Sequence, residues 1–223
     1  MVRPLLAVGL AVALVGGCAT SGSSGSASAP APAPTRTATR QVDPAQAERL
    51  RRAMLPLIQA MDHPVPPGKV KLGIMADPHI NAANAGNGAF YVTTGLLEKA
   101  DDDRLLAVLA HEVAHEDLGH VSKAQALGTG LNIGMILLDQ IVPGSGALTP
   151  IAGELIFRGY SRKEEYQADA HGADLLQRVG RNRQLMIDTL TWLMQAEGGG
   201  SGGFFSTHPA TGDRIEALRN ARS

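Results

Sequence analysis

The sequence predicts an α+β domain, mainly helical, in which a small β-sheet flanks one central helix. Three observations carry that prediction. Apolar residues recur at helical spacing in several segments separated by Gly and Pro breakers. Two short runs, 70–75 and 89–94, read as strands around the turn-forming residues Asn84-Ala85-Gly86-Asn87-Gly88. Finally, Leu105, Leu106, Val108, Leu109, Val113, Ala114 and Leu118 cover nearly the whole circumference of a helix at 100° per residue, as a buried helix requires.

The chain has 223 residues, 44% of them hydrophobic, which is material for one globular domain. Its 20 basic and 21 acidic residues are interspersed and give a formal charge of -1. This balance leaves no electrostatic footprint for nucleic acid, so no nucleic-acid partner is expected. Cys18 is the single cysteine, which excludes an intramolecular disulfide and a Cys-based metal site. Any metal must be held by His and carboxylates.

Residues 1–17 have the layout of a signal peptide: Arg3, an apolar run from Leu5 to Val15, then Gly16-Gly17. The run is shorter than the roughly 20 residues a spanning helix needs. Val15-Gly16-Gly17-Cys18 resembles a bacterial lipobox, so Cys18 is the expected lipidation site, anchoring the chain to a membrane. Ala19 in place of Asp goes with outer-membrane sorting, on the periplasmic face of a bacterial cell envelope. Residues 18–42, the lipidated Cys and then mostly Ser, Gly, Ala, Pro and Thr, cannot bury enough apolar surface to order and form a tether spanning roughly 25–30 Å.

The domain proper is expected over 43–223. Asp43-Pro44 opens a helix to Met61 whose Leu50, Met54, Leu57 and Ile58 share a face. The breaker from His63 to Gly68 precedes the strand Val70–Met75, and Ala89–Thr94 follows as its partner in a hairpin. Asp101-Asp102-Asp103 suit the positive end of the buried helix that runs to Leu118. Residues 124–158, apolar and Gly-rich with Pro143 and Pro150, read as two short helices or a helix and a flap, with a membrane dip as the lesser alternative. Helices are expected again over Ser161–Val179, Arg183–Ala196 and about Thr211–Arg219, the last after the Gly-rich loop 198–203 and Thr207-His208-Pro209.

Within the central helix lies His111-Glu112-Val113-Ala114-His115, the H-E-x-x-H pattern. Histidines four apart differ by about 40° and one turn, so both imidazoles reach one ion from one face, with Glu112 beside it. That pairing serves metal-assisted hydrolysis: an ion that acidifies water and a carboxylate, Glu112, as general base. His120 comes one residue too early to complete a three-histidine pattern and is expected to be structural or to support a ligand. Downstream, Glu165 and Asp169 are four apart on a predicted helix and could act together, one on the metal and one on a ligand imidazole. Their residue types alone equally fit a solvated charged face.

Four stretches then match a known pattern: Asn81-Ala82-Ala83 through Tyr91 to Leu97, His111-Glu112 with His115 and His120, Ser161-Arg162 to Ala168-Asp169, and Thr207-His208-Pro209 followed by Arg214. In these the chain resembles the HtpX-like and Oma-type gluzincin zinc metalloproteases, peptidase family M48, in their periplasmic lipoprotein form. The resemblance implies a zincin-like metalloprotease domain and one Zn2+ per chain, held by His111, His115 and Glu165. It implies Asp169 behind those ligands, Arg214 supporting the site or simply pairing with an acid, and His208 as a fourth ligand that restrains activity, although His208 also suits the entry to a helix. The expected activity is a zinc metalloendopeptidase acting on unfolded or misassembled envelope polypeptides that pair with an edge strand near Ala89–Thr94. The alternative is an envelope chaperone or assembly adaptor with restrained proteolysis. Two departures stand out. The Asn81–Gly88 segment lacks the aromatic and Pro-Gly features of relatives, and the membrane helices of integral-membrane members are missing.

Overall fold

A computed structural model describes residues 43–120, 133–138, 148–153, 159–197, 203–209 and 212–221. The expected signal peptide, Cys18 and the tether lie outside the described residues.

Helix α1 (Pro44–Ala60) starts where Asp43 accepts a hydrogen bond from the Ala45 N–H at 2.8 Å, with Pro44 in the first turn. It buries Leu50, Met54, Leu57 and Ile58, the face its spacing predicts. The sheet contains β1 (Lys71–Met75), β2 (Ala82–Gly86), β3 (Ala89–Thr93), β4 (Ile133–Leu138) and β5 (Leu148–Gly153), in the order β2-β3-β1-β4-β5. Helices α2 (Thr94–Lys99) and α3 (Asp102–Asp117) follow β3. After β5 come α4 (Arg162–Arg178), α5 (Gln184–Glu197), the single turn α6 (Phe204–Thr207) and α7 (Gly212–Asn220).

Four expectations are corrected. β1 and β3 do not form a hairpin: they run parallel, Leu72 facing Phe90 and Ile74 facing Val92, while β3 turns back antiparallel on β2. Residues expected as turn, Asn84 among them, belong to β2, and the turn proper is confined to Asn87-Gly88. Ala89–Thr93 is consequently no edge. β2 and β5 bound the described sheet. Finally, 133–138 and 148–153 are antiparallel strands, not helices. Ile136 pairs with both Ile74 and Pro150, and Pro150 sits on the boundary strand, where an absent N–H is tolerated. The remainder of 124–158, apart from these strands, lies outside the described residues. Among the described residues no helix is long and apolar enough to cross a membrane.

Helix α3 is the axis of the domain. Asp101 caps it through the Arg104 N–H at 2.8 Å, Asp102 and Asp103 occupy its first turn, and every residue from Leu105 to His115 is buried. It packs against α1, α4, α5 and β2. The approach of α4 is close at Gly172, where a Cβ would lie 3.2 Å from the Ala110 carbonyl oxygen and 2.8 Å from Met186. A methyl group there would push α4 away from the helix that carries the histidines.

The far end of α3 is pinned by Asp117. Its carboxylate accepts the backbone N–H groups of Asp62 and His63, both at 2.8 Å, and contacts His171 Nε2 at 2.7 Å. Burial by itself would raise this carboxyl. His171 and the two amides outweigh burial and hold it below its usual range. A depressed folded pKa means stability that is present above the unfolded value of about 3.9 and lost as pH falls below it. Asp117→Asn is therefore expected to cost about 1–3 kcal/mol at neutral pH in a urea titration, the deficit shrinking below about pH 4. A deficit independent of pH would show that the charge contributes nothing.

Candidate metal centre

Each side chain of the centre is positioned by an element with its own local reason to form. His111, Glu112 and His115 point from one face of α3. α4 opens on a capping box: Ser161 Oγ accepts from the Glu164 N–H, and the Glu164 carboxylate accepts from the Ser161 N–H at 2.9 Å. One residue on, Glu165 is wholly buried, and Asp169, a turn later, is 1% exposed. Glu165 and Asp169 are thus turned to the interior, which excludes the solvated face. The turn α6 brings in His208, also buried, with its backbone N–H donating to the Phe204 carbonyl.

Four residues converge. His111 Nε2 lies 3.1 Å from His115 Nε2, 3.2 Å from His208 Nδ1 and 3.5 Å from Glu165 Oε2. Glu165 Oε1 lies 3.1 Å from His208 Nδ1 and 3.5 Å from His115 Nε2. An ion with bonds of about 2.0–2.1 Å in a tetrahedral arrangement needs donors about 3.3 Å apart. The cluster His111, His115, Glu165 and His208 therefore fits a tetrahedral cation, and its three-imidazole, one-carboxylate chemistry suits zinc.

Behind these donors stands a second layer. Asp169 Oδ1 is 3.0 Å from His111 Nδ1, an ion-pair contact that holds the imidazole with Nε2 toward the centre. Arg214, from α7 and 2% exposed, grips both oxygens of Asp169 at 2.6 Å and Glu165 Oε2 at 2.6 Å. α3 ends before His120. Gly119, at φ 67°, reverses the chain, so His120 comes back to place its Nδ1 3.0 Å from His115 Nδ1. This contact matches the supporting place expected for it, reached by a turn and not by a continued helix.

The electrostatics follow from this crowding. Burial would depress the His111 imidazole, but Asp169 and Glu165 outweigh it and lift it to about 9. His115 is driven well down, by burial first, with Glu165 opposing and His111 and His208 adding. Burial would raise Glu165, yet the three imidazoles hold it well below the carboxylate range. Glu112 is different. His208 Nε2 is 3.2 Å from its Oε1 but off the hydrogen-bond line, and neither carboxylate oxygen has a hydrogen-bond partner among the described residues.

Two aromatic residues escaped the sequence reading. Tyr160 stacks on His115 with ring centroids 3.6 Å apart, and Phe204 stacks on His208 at 4.3 Å. The Tyr160 N–H also donates to the Thr207 carbonyl, tying the two loops together. Their only sequence signal was adjacency, Tyr160 beside Ser161-Arg162 and Phe204 shortly before Thr207-His208-Pro209.

This geometry coincides with a family pattern: the model described as Peptidase family M48 matches residues 44–222. The chain belongs to peptidase family M48. It is a metalloprotease, and its cofactor is zinc, for which the buried donor set is suited. Three relatives, all bacterial, illustrate the likeness. The chain is 25% identical to "Metalloprotease LoiP" of Escherichia coli over 187 residues, covering 82% of this chain and 74% of that protein. It is 32% identical to "Protease HtpX" of Xanthomonas axonopodis pv. citri over 198 residues, 69% of this chain and 67% of that protein. Against "Protease HtpX homolog" of Chlorobium phaeobacteroides the identity is 34% over 171 residues, spanning 59% of this chain and little more than half, 57%, of the relative. As an M48 protease the chain acts on polypeptides.

Proposed function

We propose that the chain is a zinc-dependent endopeptidase that cuts unfolded or misassembled cell-envelope proteins, with His111, His115 and Glu165 as ligands and Glu112 as general base. The observation that carries this reading is the Glu112 carboxylate, buried beside the donor cluster with both oxygens lacking a hydrogen bond. A buried carboxylate that accepts no hydrogen bond, with the His208 imidazole as its neighbour, is costly to keep, and taking a proton is the task its position allows.

Zinc, when bound, lowers the pKa of water from 15.7 to about 7 and polarises the scissile carbonyl. Glu112 takes the proton from the attacking water as its oxygen forms the new C–O bond. It then delivers that proton to the amine nitrogen as the C–N bond breaks. Asp169 and His120 hold the two imidazoles in register through Nδ1. Arg214 keeps Glu165 aimed at the centre while balancing the charge of Asp169. Substrate backbone adds antiparallel or parallel to β2, which bounds the sheet next to α3.

His208 occupies the position an incoming carbonyl needs, 3.2 Å from His111 Nε2 and 3.1 Å from Glu165 Oε1. This arrangement supports restraint of the resting enzyme by His208. It is also the observation that favours the second reading, an envelope chaperone or assembly adaptor with little proteolysis. The layout of residues 1–42 supports a processed signal peptide over 1–17, lipidation at Cys18 and a tether over 18–42 carrying the protease domain 43–223 from the outer membrane into the periplasm.

Casein digestion by the purified chain, with zinc measured per chain, tests this proposal. One zinc and internal cuts in casein are expected for wild type. His208→Ala should keep its zinc and cut about tenfold faster, the gain expected when roughly a tenth of the resting molecules are open. Zinc without cleavage in either protein would leave the adaptor. Cleavage confined to chain ends would make it an exopeptidase.

A further inference from the structure

Glu116 follows His115 on α3, one turn beyond Glu112, and is half-buried. It takes no part in the donor cluster. Its Oε1 accepts the Gly88 N–H at 2.8 Å and its Oε2 accepts Asn84 Nδ2 at 2.9 Å. Asn84 is 2% exposed, its amide also approaches the Glu112 carbonyl at 3.4 Å, and its Oδ1 accepts the Gly86 N–H at 2.8 Å. One carboxylate on the catalytic helix thus ties down both limbs of the β2–β3 turn.

That turn requires an outside restraint. Gly86, Asn87 and Gly88 stand consecutively in the left-handed region at φ 82°, 54° and 75°, and the β2–β3 register shifts between Asn84 and Gly86. A bulged, Ala- and Gly-rich boundary strand specifies its own register weakly, because few of its side chains choose a face. Beyond Gly86 the chain is committed, since the Gly88 carbonyl accepts the Lys71 N–H at 2.8 Å. The height of β2 over α3 is therefore set where Glu116 grips it.

We propose that Glu116 is a positioning residue for polypeptide substrate: by holding Asn84 and Gly88 it sets how far β2 stands from the His111–Glu112 face. A chain paired to β2 then brings its scissile carbonyl to the metal centre. This rests on the reading that substrate adds to β2. Glu116 touches neither substrate nor metal in this role. Its effect falls on productive binding and leaves the chemical step and zinc retention unchanged.

The test uses the full chain and an extended fluorogenic peptide taken from a casein cleavage site. Glu116→Ala is expected to raise KM about tenfold while kcat stays within about twofold and zinc remains at the wild-type level. Asn84→Ala, which leaves Glu116 in place, should do the same and stands in if Glu116→Ala does not fold. Combining Asn84→Asp with Glu116→Gln exchanges donor and acceptor and should return KM to within about threefold of wild type. A fall in kcat at unchanged KM, loss of zinc, or failure of the exchanged pair to rescue would overturn the proposal. A separate arm gives wild type the same peptide N-methylated on alternate backbone amides. Poor cleavage supports pairing with β2, whereas undiminished cleavage removes the pairing itself, and the role of Glu116 with it.

Discussion

Glu112→Gln is expected to yield a folded, zinc-loaded protein that cleaves casein about 10²–10⁴-fold more slowly than wild type. The substitution is nearly isosteric, and neither oxygen it alters accepts a hydrogen bond among the described residues, so no network is broken. The ligand candidates His111, His115 and Glu165 keep their places. Only the capacity to accept and pass on a proton is removed. Zinc per chain and the rate of casein cleavage, measured on the same preparation, separate the two effects. Equal zinc with a collapsed rate assigns the proton transfer to Glu112. Equal zinc with a rate within tenfold of wild type would deny it that role.

The second large effect is on stability. Arg214→Met is expected to cost about 3–5 kcal/mol, because it leaves Asp169 and Glu165 buried without the cation that their geometry presumes. For a domain of this size that corresponds to a fall in Tm on the order of 6–20 °C. Burial would lower the guanidinium, but Asp169 first, then Glu165, keep it charged. Arg214→Lys should recover only part of the loss, since an ammonium cannot bridge both oxygens of Asp169 and still reach Glu165. Calorimetry on zinc-loaded wild type and both variants checks this. A drop under about 2 °C for Arg214→Met would show that the cluster tolerates the missing charge.

The sequence was most legible where one element decides everything. The buried helix α3 announced itself by apolar residues on all sides, and His111, Glu112 and His115 share a face by spacing alone. Glu165 and Asp169 were ambiguous from residue type, because a carboxylate pair one turn apart looks the same whether it faces water or a metal. The capping box at Ser161 fixes the start of α4, and only packing against α3 turns the pair inward. The parallel pairing of β1 with β3 could not be read, since alternation shows a strand without naming its neighbour. β2 was hidden by its own composition: Ala82, Ala83 and Asn84 carry little strand preference, and the asparagine mimics a turn while serving as a buried anchor. Ile133–Leu138, a short apolar run, fits a strand or a helix equally well until β1 is there to pair with it.

The centre draws on α3, then α4, then His208 and finally Arg214 on α7, in the order in which they are synthesised. A ribosome adds about 5–20 residues per second, so His111 is made several seconds at least before the arginine that steadies Glu165. Until α7 arrives, the nascent chain carries two facing histidines and a carboxylate without the pieces that aim them. The centre is thus assembled from parts of the chain made far apart in time, and its last support arrives only with the final described helix.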